Sequence, residues 1–469
     1  MSPTIAVGVW LVALILLLWY DPGRDPKSSP ALWVPLIWFF FVGSRNPSQW
    51  LSLGMVTVRA QTMQEGNPVD RMIFSALIVL SIAVLTTRSF PWARFLRQNM
   101  ALVVLVAFEL VSAVWSDFPF VSAKRWIRDL DNYLVILVIL SDPRPLQAVR
   151  TVLRRLSYLL VPLSILLIKY FPMLGKQYEQ WSGAASFVGA GTSKNMLGAI
   201  CLVGGIFFFW DTLTRWPERK QRRTKRILQV NVVFLVMTMW LMRLAASTTS
   251  DVCLVLGCVV VAAAHTKIFR RRPRLLKALA PAAFGLYLIM FFGLGMQGQL
   301  ASAVGKDPTL TDRTKIWAFV LSMHTNPLIG TGYQTFWLGP RLQWFWTQAH
   351  LGSLNEAHNG YLELYLELGL IGDALLVIFL ISSYRQICRR LSSHFALTVF
   401  GMAAWMMIVF YNMSEAAFEG GLLFMMLLLG TIVVPVRLKG KVRRAADERR
   451  PAAVLEAAPV SERVLDYSS

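Results

Sequence analysis

His358 is the residue best placed for acid–base chemistry. It is followed by Asn359 and Gly360 and then by a long apolar run, so it stands at the start of a helix where membrane meets water. The partial positive charge of a helix N-terminus disfavours an imidazolium there, and a neutral imidazole is what a general base needs. Glu363 and Glu367 follow, four residues apart and so on one helix face. Carboxylates in the first turns of a membrane helix are costly in lipid, which turns them toward the protein interior. An interfacial histidine, with two glutamates tied structurally to nearby arginines, accounts for the same residues without chemistry.

Arg313 is the second candidate. It lies in TDRTKIW, where Thr311 or Asp312 is a natural helix cap and Arg313 and Trp317 share a face. The planar guanidinium suits a diphosphate because it binds two oxygens at once; an exposed arginine paired to Asp307 or Asp312 is the structural alternative. Pro327–Tyr333 (PLIGTGY) lacks the order of a nucleotide-binding loop and is expected to be a tight turn ending the Arg313 helix. Trp317, Trp337, Trp344 and Trp346 fall nearby, where indoles anchor in headgroups or stack on sugars. Lys124, Arg125, Lys194 and Arg243 lie near the same side, as do Arg128, Lys176, Asn195, Asp251, Glu415 and Glu419. Cations held there suggest an anionic partner close to the membrane. His265, His324, His350 and His394 are weaker candidates; no two histidines have zinc-ligand spacing, so no metal and no cofactor is expected. The cysteines, Cys201, Cys253, Cys258 and Cys388, show neither metal-site nor disulfide spacing.

The elements that carry these residues are membrane helices. The chain has 469 residues, 55% hydrophobic and 16% charged, with mean hydropathy +0.52; soluble domains carry about 25% charged residues. Apolar runs fall near 4–20, 31–43, 69–87, 100–115, 130–141, 151–170, 195–213, 228–246, 250–265, 276–297, 359–382, 396–412 and 418–437, giving an all-α polytopic protein with 12 or 13 crossings. Gly43–Trp50 interrupts the second run and predicts a loop, a re-entrant break or a kink at Pro47. The first run lacks a basic flank and a cleavage signature, and is expected to be a retained helix.

A net charge of +21 invites a nucleic-acid role, but the basic residues sit in short loops between apolar runs, which is the bias of cytoplasmic loops; no nucleic-acid partner is expected. Segment 214–228 has seven basic residues and one acidic, 265–277 has six basic, and 437–450 has seven basic and two acidic. With 383–394 these are assigned to the cytoplasm. The turn at 247–251, the segment 171–194, the turn 412–419 and the loop 298–358 then fall outside. The expected divisions are residues 1–297, the outer loop 298–358 with short helices, helices over 359–437, and a cytoplasmic tail 438–469 without periodicity.

The order of features resembles the O-antigen ligase and polysaccharide polymerase superfamily. Arg313, Trp317 and Pro327–Gly332 are followed by His358–Asn359, Leu362, Glu367, Gly369 and Gly372. Upstream, EGNPVDR (65–71), WSDFPFVSAKRW (115–126), IKYFPMLGKQY (168–178) and SKNMLG (193–198) are similar to the branch named for bacterial exopolysaccharide production. The resemblance implies glycosyl transfer without a metal at the periplasmic face of the bacterial inner membrane. The donor is an undecaprenyl-diphosphate-linked oligosaccharide and the acceptor a sugar hydroxyl, with inversion at the anomeric centre. It carries the base to His358 and diphosphate binding to Arg313. Glu367, Trp317 and Asn359 join as substrate-binding positions. The lipid bilayer is a partner, as chain-length and export proteins can be.

One departure concerns the second diphosphate ligand. Many ligases place a second arginine after a serine or threonine near the outer end of an earlier helix; Leu244–Cys253 here contains none. Arg243, Lys194, Arg125 or Lys124 would have to substitute. Polymerisation of exopolysaccharide repeats is the leading expectation, with transfer to lipid A core as the alternative. A lipid-linked-sugar flippase and a teichoic-acid or protein-glycosylating transferase belong to other classes.

Overall fold

Among the described residues, thirteen apolar helices organise the chain: Pro3–Trp19, Trp33–Val42, Pro68–Thr87, Met100–Val111, Pro119–Leu140, Pro145–Tyr170, Lys194–Arg215, Arg222–Ala245, Thr248–His265, Pro273–Leu288, Gly360–Arg390, Phe395–Tyr411 and Gly421–Thr431. The structure is a computed structural model that describes residues 2–52, 66–178, 185–289, 313–323, 325–348 and 354–434. His324, His350, Asp307, Thr311, Asp312 and the tail 438–469 lie outside the described residues, as does much of the loop 298–358. The protein is an all-α, multi-pass membrane protein. Its only described strands are a short antiparallel pair, Lys176–Tyr178 with Ala185–Phe187.

Each apolar run of the sequence coincides with a helix, and local chemistry sets the starts. Ser2 caps the first helix through Ile5 N–H, Asn67 caps the Pro68 helix, and Ser193 caps the Lys194 helix through Met196 N–H. Pro47 opens a short helix, Pro47–Leu51, with Gln49 Oε1 accepting from Asn46 N–H at 3.0 Å. The Trp33 helix therefore ends at Val42, and Gly43–Trp50 spans that end and most of a separate short helix. Among the described residues, by length and composition alone, six helices are long and apolar enough to cross a membrane, and a seventh if Trp92–Gln98 and Met100–Trp115, bent by 95°, form one span. That falls below the expected 12 or 13. Four further apolar helices have 10–17 residues, and Pro119–Leu140 carries five charged side chains.

The Pro145 and Lys194 helices form the centre, with 72% and 78% of their apolar windows buried, against 22% for the Pro68 helix at the periphery. The connections sort into two sets. In one, Arg223 donates to the Pro22 and Arg24 carbonyls, Arg144 pairs with Asp25, and Tyr384 donates to the Lys277 carbonyl. In the other, Ser48 binds Asp70, Arg45 donates to the Leu174 carbonyl, and Thr249 meets Ser414. Contacts thus join the basic loops 265–277 and 383–394, and the turns 247–251 and 412–419.

The helix Gly360–Arg390 is broken at Gly369, whose φ of 66° and ψ of −167° no other residue type adopts readily. The break receives PLIGTGY. Thr331 and Gly332 N–H donate to the Leu366 and Glu367 carbonyls, and Leu370 and Ile371 N–H donate to the Pro327 and Leu328 carbonyls, at 2.8–3.1 Å. A Cβ on Gly369 would lie 2.2 Å from the Leu328 carbonyl carbon, and one on Gly330 2.3 Å from that of Glu367. Backbone groups freed by a break in a membrane helix need protein partners, and this loop supplies them. PLIGTGY thus does not end the Arg313 helix, which stops at Leu321; it splints a later one.

Candidate functional site

Two short helices, Arg313–Leu321 and Gly339–Gln348, pack through Ile316, Val320, Phe336, Trp337 and Phe345. This small core explains most of the tryptophans. Trp337 is 7% exposed and donates to Glu363, Trp317 donates to the Ala357 carbonyl at 2.9 Å, and Trp346 to the Leu354 carbonyl at 2.7 Å. Trp344 alone of the four is largely exposed, at 46%. Trp317 therefore acts as a strut for the residue before His358.

The centre of the site is a carboxylate that the sequence did not single out. Glu415, in the turn after Phe395–Tyr411, is buried. Its Oε1 accepts from Arg313 Nη2 at 2.5 Å, and its Oε2 accepts from Asn195 Nδ2 at 2.8 Å and lies 3.2 Å from His358 Nδ1. Glu356 Oε1 lies 2.9 Å from the same nitrogen. Arg313, 102 residues before Glu415 and 45 before His358, is thus joined to His358 through one side chain. The other terminal nitrogen of Arg313, Nη1, is buried and makes no hydrogen bond among the described residues. The 247–251 turn backs this assembly, through Thr249 to Ser414 at 2.8 Å.

The protonation of His358 differs from the sequence expectation of a neutral imidazole. Burial lowers its pKa, but Glu356 and Glu415 outweigh burial and raise it to about 9. A helix terminus contributes about half a charge spread over its first turn, whereas two whole carboxylates stand within 3.2 Å. His358 also lies outside the helix cap, with a positive φ of 49°. The cap is Asn359, whose Oδ1 accepts from Tyr361 and Leu362 N–H at 3.1 and 3.2 Å.

Glu363 and Glu367 face the interior as expected, where uncharged N–H groups hold them. Glu363 accepts from Trp337 Nε1 and from Ala357 N–H at 2.7 Å, and Glu367 accepts from Gln334 N–H at 2.5 Å. Arg125 donates to the Gln334 carbonyl. Lys124 lies over the Phe120 ring, 5.0 Å from its centroid. Lys194 is exposed beside Asn195, and Arg243 is exposed one turn before the left-handed Ala246, close to Asp251. Among the sequence-named groups, His358 and Arg313 converge on Glu415, while Glu367 and Arg125 line a neighbouring cavity. Two groups of side chains bring ligand atoms within 4.8 Å of one another and could hold a cation: Glu356, His358 and Glu415, and Glu363, Glu367 and Glu419.

Residues 232–378 match the family model described as O-Antigen ligase, an interval that includes Arg313, the PLIGTGY splint and His358. The chain is also similar to "Exopolysaccharide production protein ExoQ" of Rhizobium meliloti (strain 1021), with 25% identity over 366 residues, covering 75% of this chain and 80% of that protein.

Proposed function

We propose that this member of the O-antigen ligase-like family is a glycosyltransferase of polysaccharide synthesis that polymerises repeat units carried on undecaprenyl diphosphate. The reaction takes place at the end of the bundle that holds Glu415, on the periplasmic face of the inner membrane. The observation that carries the reading is the divided commitment of Arg313: one terminal nitrogen holds Glu415 and the other is buried without a hydrogen-bond partner among the described residues. A buried donor without an acceptor is costly, and a diphosphate oxygen satisfies it.

In this reading an acceptor hydroxyl attacks the anomeric carbon of the donor sugar. The new C–O bond forms as the bond to diphosphate breaks, with inversion. Undecaprenyl diphosphate leaves with the electron pair, and the hydroxyl proton passes to the free nitrogen of neutral His358. Glu356 and Glu415 hold the opposite nitrogen, Nδ1, so the ring presents Nε2 to the acceptor. Arg313 offsets the charge that grows on the leaving group. The similarity to a protein of exopolysaccharide production favours a polymerase, with lipid A core as the alternative acceptor.

The test is transfer in vitro from a defined undecaprenyl-diphosphate glycan, with and without EDTA, comparing a second lipid-linked repeat with lipid A core. Elongated lipid-linked product in EDTA is expected. No transfer to either acceptor overturns the reading, and loss in EDTA restored by a divalent cation overturns its metal independence.

A further inference from the structure

Next to the Glu415 cluster lies a cavity of about 340 Å³, within the range of small-molecule sites. Glu356 and Gly360 belong to its wall and also border His358, so the cavity and the histidine are neighbours. The wall carries four carboxylates, Glu356, Glu363, Glu367 and Glu419, against one guanidinium, Arg125. Carboxyls gathered this closely share protons instead of all ionising, so they balance the one guanidinium and the wall offers a diphosphate no net cation. It sorts the site electrically into a cationic place at Arg313 and an acidic chamber beside it. Glu363 and Glu367 are already held by the Trp337, Ala357 and Gln334 N–H groups. Glu419 is different. Its Oε1 is buried and has no hydrogen-bond partner among the described residues. Asn355 and Gln334 add amide groups, and Trp337 and Phe418 add aromatic edges. Acceptors in excess with aromatic walls are the complement of a ligand rich in hydroxyl donors and free of negative charge.

We propose that this cavity is the subsite for the acceptor's sugar, and that its carboxylates select an uncharged, hydroxyl-rich ring over one bearing a carboxylate or phosphate. The word acceptor rests on the glycosyl-transfer reading; the binding itself does not. A hydroxyl donating to Glu419 Oε1 satisfies the orphaned oxygen. The same inference takes Arg125 out of the diphosphate site and makes it the tie that holds the Gln334 turn.

The test needs neither donor nor turnover. Oligosaccharides released by partial acid hydrolysis from the polymer that the protein's own cells secrete are divided in two, and one half has its primary hydroxyls oxidised to carboxylates. Binding of both to the full-length protein in nanodiscs is followed by saturation-transfer NMR. The neutral fragments are expected to bind at least tenfold more tightly than the oxidised ones, and Glu419→Gln to weaken them about fivefold or more. Asn355→Ala, an exposed position that leaves folding intact, is expected to weaken them about threefold. Arg223→Ala, at the opposite end, is the control and leaves binding unchanged. Equal or tighter binding of the oxidised fragments overturns the proposal, as does failure of the neutral fragments to bind, or binding indifferent to both Glu419→Gln and Asn355→Ala. Binding as expected with no transfer in vitro would instead sink the catalytic reading and leave the subsite standing.

Discussion

Two buried carboxylates hold opposite ends of this protein. Asp211, in the Lys194 helix, is fully buried and accepts from Arg154 Nη2 at 2.5 Å, Arg215 Nε at 2.8 Å and Asn231 Nδ2 at 3.1 Å, with Arg150 Nε paired to it at 2.9 Å without a hydrogen bond. Asp21 shares Arg154 with it, and Tyr158 donates to Asp21. Glu415 receives one arginine, one asparagine and one histidine. Around Asp211 the cations are fixed by packing between helices. Around Glu415 the arginine is joined by a histidine that can exchange a proton. A network of permanent charges between helices braces them, whereas one that includes a group able to exchange a proton is open to chemistry. Only the second carries an acid–base group beside its arginine.

The comparison breaks first on the open network. His358→Ala is expected to lower transfer by about 10² to 10⁴-fold and Arg313→Ala by about 10² to 10³-fold, with membrane abundance unchanged. Arg313→Lys should restore little, because a point charge cannot hold Glu415 and a diphosphate oxygen together. Transfer by either alanine variant at the wild-type rate removes the site. Asp211→Ala should do the reverse. Leaving three arginines around an empty position costs about 3–5 kcal/mol, read as a lowered melting temperature of the purified protein, with activity falling only in step with folded protein.

A smaller effect sharpens the chemistry. With His358 raised to about 9, the neutral base is a minority at pH 7. The rate therefore rises with pH, about tenfold per unit, and levels near pH 9. Glu356→Gln removes one of the two carboxylates that hold the proton, so its profile should level at a lower pH and its rate at pH 7 should increase. A rate that falls between pH 7 and 9 would instead mark His358 as an acid. The smallest expected change is Gly369→Ala. It forces a side chain into a left-handed position against Leu328, at a cost of about 1–3 kcal/mol, and should lower thermal stability and transfer together.

How much of this the sequence discloses depends on distance along the chain. The run beginning at Pro68 was readable as a helix because hydropathy, Asn67 and Pro68 are local signals, and the same holds for the other apolar runs. The inward turn of Glu363 and Glu367 followed from their spacing and the cost of charge in lipid. Arg313 and His358 were connected by a resemblance in residue order, without any contact to explain it. The contact is Glu415, 57 residues past His358, and no periodicity carries information over that span. The charge on His358 was more nearly visible, since Glu356 stands two residues before it in NEAHN; an argument confined to the helix that follows overlooked it. Asn195 was named only beside Lys194, and the exposed cation drew attention from the amide that makes the contact. Trp337 shows the same weakness: indoles near a membrane boundary suggest anchors, and only the small core under the outer segment shows this one buried.

The splint at Gly369 has a consequence for exchanging parts between relatives. Residues 327–332 and 366–371 complete one another's backbone hydrogen bonds across a gap of some thirty residues, so they travel as one unit. A chimera that takes its outer segment from one parent and its receiving helix from another keeps both sequences and loses the seam between them. Recombination designed to transplant sugar preference therefore has its crossover points before Arg313 and after Gly372, and anything between them is inherited whole.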